Sequence, residues 1–165
     1  DNYIYILNVR FSGNIHFYKE IDEELLDVRV PSMILQPVVE NAVNYGIRDI
    51  EYEGQILLKV VQDEELILIT VSDNGTGMDQ ATIDRIMKAD TRMRVESDRL
   101  HNARDSNGIG LGNVINRLRL YYDMEDVIEI KSPGPYMGTS VTLRIPKNIE
   151  PGMAGEKIQQ RGGNA

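Results

Sequence analysis

The chain has 165 residues, 41% of them hydrophobic, no cysteine and a formal net charge of −8, a length that suits one domain able to bury roughly two thirds of its unfolded surface. Without cysteine there are no disulfides, zinc–thiolate sites, iron–sulfur clusters or thiol nucleophiles, which suits a reducing compartment such as the cytoplasm. The acidic balance disfavours a nucleic-acid or anionic-membrane surface, since those are held by clustered Lys and Arg, and fits a basic partner or a metal-bound nucleotide better.

Residues 3–11 read two ways. Their β-branched and aromatic content permits a strand, while Ile4, Leu7 and Phe11 at spacings of three and four permit one helical face. Residues 14–21 alternate Ile15, Phe17 and Lys19 with their neighbours and are expected as an edge strand. From Ser32 to Tyr45 the positions Ile34, Leu35, Val38, Val39, Ala42 and Val43 form a helical stripe that Gly46 would end, with Pro37 near the first turns because it lacks an N–H. Residues 55–61 and 66–72 read as a hairpin joined by an acidic turn over residues 62–65. Asp79 caps a short helix to about Ala89, followed by a polar, aperiodic stretch to residue 107; an irregular stretch of that length in a compact domain is usually functional or mobile. A second helix is expected from Gly112 to Tyr122, on Leu111, Val114, Ile115, Leu118 and Tyr122. Residues 126–131 and 139–145 form the last two strands around a Pro/Gly-rich turn, and the tail from Pro151 has too little apolar content to fold. The order implies an α+β fold of two layers, with a mixed, largely antiparallel sheet and helices on one face. No apolar run approaches the ~20 residues that cross a bilayer and no signal peptide is apparent. The sequence opens on Asp1 without Met, so the natural chain is expected to extend further N-terminal.

Chemistry-bearing residues fall in separate segments. Asn41, Asn44 and Tyr45 share a helical face beside Glu40, and helical phase turns Asn41 away from the buried stripe. An Asn carbonyl suits a Mg²⁺ ion that takes its other ligands from water and phosphates, although the same pattern also describes an ordinary solvated face. Asp73-Asn74-Gly75-Thr76-Gly77 presents a carboxylate at a strand end. Such a carboxylate accepts from an exocyclic amine such as that of adenine but would face a carbonyl in guanine, a mismatch of about 1–3 kcal/mol; a tight turn explains the motif equally. Gly108-Ile109-Gly110-Leu111-Gly112-Asn113 opens the second helix, where free N–H groups and the helix dipole favour an anion. Its spacing is neither the dinucleotide fingerprint nor a P-loop, and a glycine hinge is the bland alternative. Gly138-Thr139 precedes the last strand and offers a hydroxyl to bridge Asp73 and a base.

In this order, VPSMILQPVVENAVNYGI, VSDNGTGM, GIGLGNVINRLRLYY and GTSVTLRIP resemble the ATP-binding fold shared by gyrase, Hsp90-type chaperones, mismatch-repair ATPases and sensor histidine kinases, known as the Bergerat or GHKL fold. The wording is most similar to the LytS- and YesM-like sensor histidine kinases over about residues 1–146. The resemblance implies ATP and Mg²⁺ as ligands, with Asn41 on the metal, Asn44 and Tyr45 lining the same site, and Asp73 on the adenine amine. Gly75, Gly77, Met78 and Thr139 would lie about the ring, and Gly108 to Asn113 on the phosphates. It makes residues 1–11 the end of the dimerisation helices, 12–146 the catalytic domain, 79–107 an ATP lid and 147–165 a flexible tail.

Two departures from the family pattern bear on chemistry. Asn44-Tyr45 stands where Lys-His is common, so this helix brings no cation to the phosphates, and the Phe-rich lid motif of many histidine kinases is missing. Hydrolytic members carry a water-activating Glu four residues before the metal asparagine, and Pro37 occupies that position here, which favours transfer to another acceptor over hydrolysis. Glu40 is the catalytic candidate left to polarise that acceptor. Neither His16 nor His101 sits in a helical histidine motif followed by an acid, so the phosphoacceptor is expected on upstream dimerisation helices outside this sequence. The resemblance further implies a downstream response regulator, a homodimer and a cytoplasmic domain of a membrane-anchored protein. A serine kinase of the anti-sigma type, and a degenerate nucleotide-binding module without turnover, are the alternatives.

Overall fold

A computed structural model describes residues 15–47, 50–88 and 107–147. The expectations for residues 1–11, for most of the lid including His101, and for the tail after Lys147 lie outside the described residues, as do the side chains of Tyr45 and Ile109.

Among the described residues, five strands, β1 (Ile15–Ile21), β2 (Gly54–Asp63), β3 (Leu66–Asp73), β4 (Ile128–Lys131) and β5 (Thr139–Pro146), form one sheet in the order β1-β2-β3-β5-β4. β1 runs parallel to β2 and every other pair is antiparallel, which makes the sheet mixed. The parallel pair needs a crossover, and helix α1 (Leu35–Asn41) with its continuation to Ile47 supplies it. β2 and β3 form the expected hairpin, with a tighter turn at Glu64 and Glu65 in which Glu64 takes a φ of 50°.

Alternation decides which face is covered. Thr139, Val141, Leu143 and Ile145 of β5 are buried, as are Ile67, Ile69 and Val71 of β3, and the apolar ones among them form one core with Val38, Val39, Ala42 and Val43 of the first helix. The alternate residues of the same strands pair across the other face, with the hydroxyls of Thr70 and Thr142 3.0 Å apart and those of Ser72 and Ser140 2.7 Å apart. The architecture is α+β, as expected.

Helix α2 (Gln80–Met87) is capped by Asp79, whose carboxylate accepts from the Thr82 N–H at 2.7 Å. Helix α3 (Asn107–Tyr122) buries Leu111, Val114, Ile115, Leu118 and Tyr122, the stripe read from the sequence. It packs against both α1 and α2.

Three helix boundaries differ from expectation. The first helix starts at Leu35 rather than Ser32, because Met33 adopts a φ of 62° that no helix accommodates. Pro37 falls in the first turn, where its missing N–H would have no acceptor anyway. The helix does not end at Gly46 but widens into a π-helix over Ala42–Ile47, directly after Asn41. α3 already includes the residues from Asn107 to Leu111 ahead of Gly112, so the glycine run lies in the helix and not in a loop before it.

Candidate functional site

Asp73 is the last residue of β3 and lies opposite Thr139, the first of β5. Its Oδ1 accepts from the Gly75 N–H at 2.9 Å, and the Thr139 N–H also donates to the carboxylate. Burial nevertheless dominates: it pushes the carboxyl from its ordinary 3.8 up to about 6, against the pull of those two N–H groups.

The space around this carboxylate is made by backbone. A Cβ added to Gly46 would stand 2.6 Å from Cγ of Asp73, and one added to Gly75 would stand 1.9 Å from the Gly46 carbonyl oxygen. The Thr76 N–H donates to that same carbonyl at 2.8 Å. The end of the first helix is thereby hydrogen-bonded to the Asp73–Gly77 loop, and only glycine permits so close an approach. Gly138, with a φ of 73°, donates its N–H to the Gly75 carbonyl at 3.0 Å. Asn74 serves structure: its Oδ1 accepts from the Gln55 N–H at 2.7 Å and its Nδ2 donates to the Glu53 carbonyl at 2.9 Å, which fixes the start of β2.

Asn41 is 5% exposed. Its Oδ1 is buried and has no hydrogen-bond partner among the described residues. This corrects the orientation read from helical phase: Asn41 does not face solvent, because a neighbouring element covers that side. A Cβ on Gly110 would stand 3.7 Å from Cβ of Pro37, and Pro37 is one turn before Asn41 on the same face. The start of α3 therefore lies along the Asn41 face of α1. A buried acceptor left unpaired is costly, and a hard cation is the partner that a neutral carbonyl oxygen in this position suits.

The run Gly108 to Asn113 lies within α3, and the Leu111 side chain is fully buried in the core.

Of the remaining expected residues, Asn44, Gly77 and Met78 are half-buried, and Glu40 is half-buried with its Oε1 accepting from Gln36 Nε2 at 2.8 Å. Gly46 and Ser132 were not anticipated as site residues. Gly46 carried a signal in its place at the helix end, whereas Ser132 carried none that a Ser-Pro-Gly turn does not already explain.

Residues 27–149 match the profile of the histidine kinase-, DNA gyrase B-, and HSP90-like ATPase family. The chain belongs to that family. Within it, similarity is to sensor histidine kinases: 31% identity over 91% of the chain to sensor histidine kinase YpdA of Escherichia coli strain K12, and 28% over 88% to sensor histidine kinase YesM of Bacillus subtilis strain 168. The chain spans 23% and 22% of the lengths of these two relatives. Among solved structures, the mycobacterial sensor histidine kinase MprB superposes with a TM-score of 0.56 at 15% identity, covering 88% of this chain and 90% of that one. The catalytic domain of histidine kinase ThkA superposes with a TM-score of 0.52 at 19% identity, covering 90% and 94%. These structures share the family's fold.

Proposed function

We propose that this domain binds Mg²⁺–ATP and passes the γ-phosphoryl group to a histidine on a dimerisation segment outside the present sequence. The observation that carries the reading is the half-buried Asp73 carboxylate, held by the Gly75 and Thr139 N–H groups against the Gly46 backbone. Ionised, it accepts from the adenine amine; facing the guanine carbonyl it would find no donor. Gly77 and Met78 continue the same loop beside the base, and Asn44 and Tyr45 follow Asn41 along its helix.

The buried, unpartnered Oδ1 of Asn41 fits a single protein ligand to Mg²⁺. When bound, the ion would neutralise charge on the transferring phosphoryl group. The run Gly108 to Asn113 of α3 is assigned to the phosphate oxygens, with Gly110 beside Pro37, one turn before Asn41.

Pro37, one turn before Asn41, has no side chain able to deprotonate water, which supports transfer over hydrolysis. Glu40, adjacent to Asn41, is the carboxylate assigned to polarise the acceptor. His16 lies exposed on edge strand β1 beside Glu53 at 3.7 Å, a setting for a structural role. The whole protein is assigned as a membrane-anchored homodimer that hands its phosphoryl group to a response regulator.

Calorimetric titration with ATP and GTP, each with and without Mg²⁺, is the test. Selective, Mg²⁺-strengthened ATP binding supports the reading, and phosphorylation of an added dimerisation segment completes it. Binding of neither nucleotide overturns it in favour of an interaction module.

A further inference from the structure

Between β4 and β5 the chain turns through residues 132–138 and touches the Asp73–Gly77 loop at several points. The Tyr136 N–H donates to the Thr76 carbonyl at 2.9 Å and the Gly138 N–H to the Gly75 carbonyl at 3.0 Å. One side chain joins the two loops. The Ser132 hydroxyl accepts from the Met78 N–H at 2.8 Å and donates to the Gly138 carbonyl at 2.8 Å. It lies so close to Gly77, whose φ is 76°, that a Cβ there would stand 2.9 Å from the Ser132 Oγ. We infer that Ser132 is a positioning residue for base recognition: its hydroxyl fixes the Met78 end of one loop to the Gly138 end of the other and so holds Asp73 and Thr139 in register against the base.

The chain of contacts is short. Gly138 directly precedes Thr139, whose N–H binds the Asp73 carboxylate, and a Cβ on Gly138 would stand 1.9 Å from the Asp73 carbonyl oxygen. A shift of the Gly138 carbonyl therefore moves a donor of the recognition carboxylate. Met78 is on the other side of the same arrangement, packed against the core. A serine hydroxyl accepts and donates at once, so alanine at this position leaves a donor and an acceptor unpaired together. Ser132 acts through Asp73.

The inference rests on the proposed nucleotide reading, and the test separates the two. Affinities of the 165-residue chain for ATP and for inosine triphosphate, which lacks the exocyclic amine, are measured for wild type, Ser132→Ala, Ser132→Thr, Asp73→Asn and the Ser132→Ala/Asp73→Asn double variant. Ser132→Ala is expected to weaken ATP about tenfold while leaving inosine triphosphate nearly unchanged, and Ser132→Thr, which keeps the hydroxyl, restores the preference. In the Asp73→Asn background the serine substitution has little further effect, as coupled residues require. A role in stability alone would lower the melting temperature and leave the ratio of the two affinities unmoved, which would overturn the inference. So would additive losses in the double variant. A wild-type chain that does not distinguish the two nucleotides would instead overturn the nucleotide reading and the inference with it. Should Ser132→Ala fail to fold, Ser132→Cys, with its weak donor and acceptor, is read in the same way and is expected to lose part of the preference.

Discussion

The Asp73 carboxylate lies directly on the backbone of Gly46, where a single methyl would place Cβ 2.6 Å from Cγ. Residues 27 positions apart in the chain thus share one contact through which the helix carrying Asn41 and the strand carrying Asp73 meet. Gly46→Ala is expected to displace the carboxylate and to lower stability by about 1–3 kcal/mol, the usual cost of overpacking. Denaturant unfolding measures the second effect and calorimetry the first; full ATP affinity in this variant would contradict the assignment of Asp73.

Asp73→Asn separates binding from folding. Its amide offers a donor where adenine also offers one, so ATP affinity should fall sharply. Stability at neutral pH should rise, because the folded protein no longer holds a carboxylate in a poorly solvated position. A variant that lost both stability and affinity would mean that the carboxylate is chiefly a structural group.

The pH dependence has two parts. The Asp73 carboxyl titrates at about 6 in the fold against an ordinary value of 3.8, so its protonated form contributes stability that is fully present below pH 3.8 and is lost as pH rises through 6. Binding runs the other way, since only the ionised group accepts from adenine: ATP affinity should fall as pH drops below about 6. Titrations between pH 5 and 8, flanked by the Asp73→Asn variant as a pH-insensitive control, check both signs.

Asn41→Ala removes a buried acceptor that has no partner among the described residues. The expected loss is of the Mg²⁺ dependence of ATP binding and of phosphoryl transfer, with little effect on metal-free binding. Transfer at the wild-type rate would remove Asn41 from the metal site. Glu40→Gln, in contrast, should lower transfer to an added histidine segment while leaving ATP affinity in place.

Leu118 of α3 is fully buried in the core, away from the helix's first turn. Leu118→Ala is expected to cost about 2–5 kcal/mol in unfolding free energy and to leave the ATP-to-GTP affinity ratio of the folded protein unchanged. A changed ratio would show that core packing behind α3 controls the base site.

Periodicity and end signals in the sequence determined which segments became helix and strand. The stripe Leu111, Val114, Ile115, Leu118 and Tyr122 is the buried face of α3, and Val141, Leu143 and Ile145 alternate inward as the period of two requires. Asp79 is the cap its position announced. The order of the motifs also sufficed for the family, because a carboxylate, an asparagine and a glycine run in that sequence are far more specific together than singly.

Only the tertiary structure decided what those residues face. Helical phase describes one helix in isolation, so it turned Asn41 outward; in the fold the Asn41 oxygen is buried, and Gly110 of α3 lies beside Pro37 one turn away. The glycine run read as a loop because glycine weakens helices locally, yet packing against α1 and α2 extends α3 back through it. The contacts of Gly46 with Asp73, and of Ser132 with Met78 and Gly138, join distant segments through backbone groups. Every residue carries such groups, so nothing in the residue types marks the few that the fold brings together.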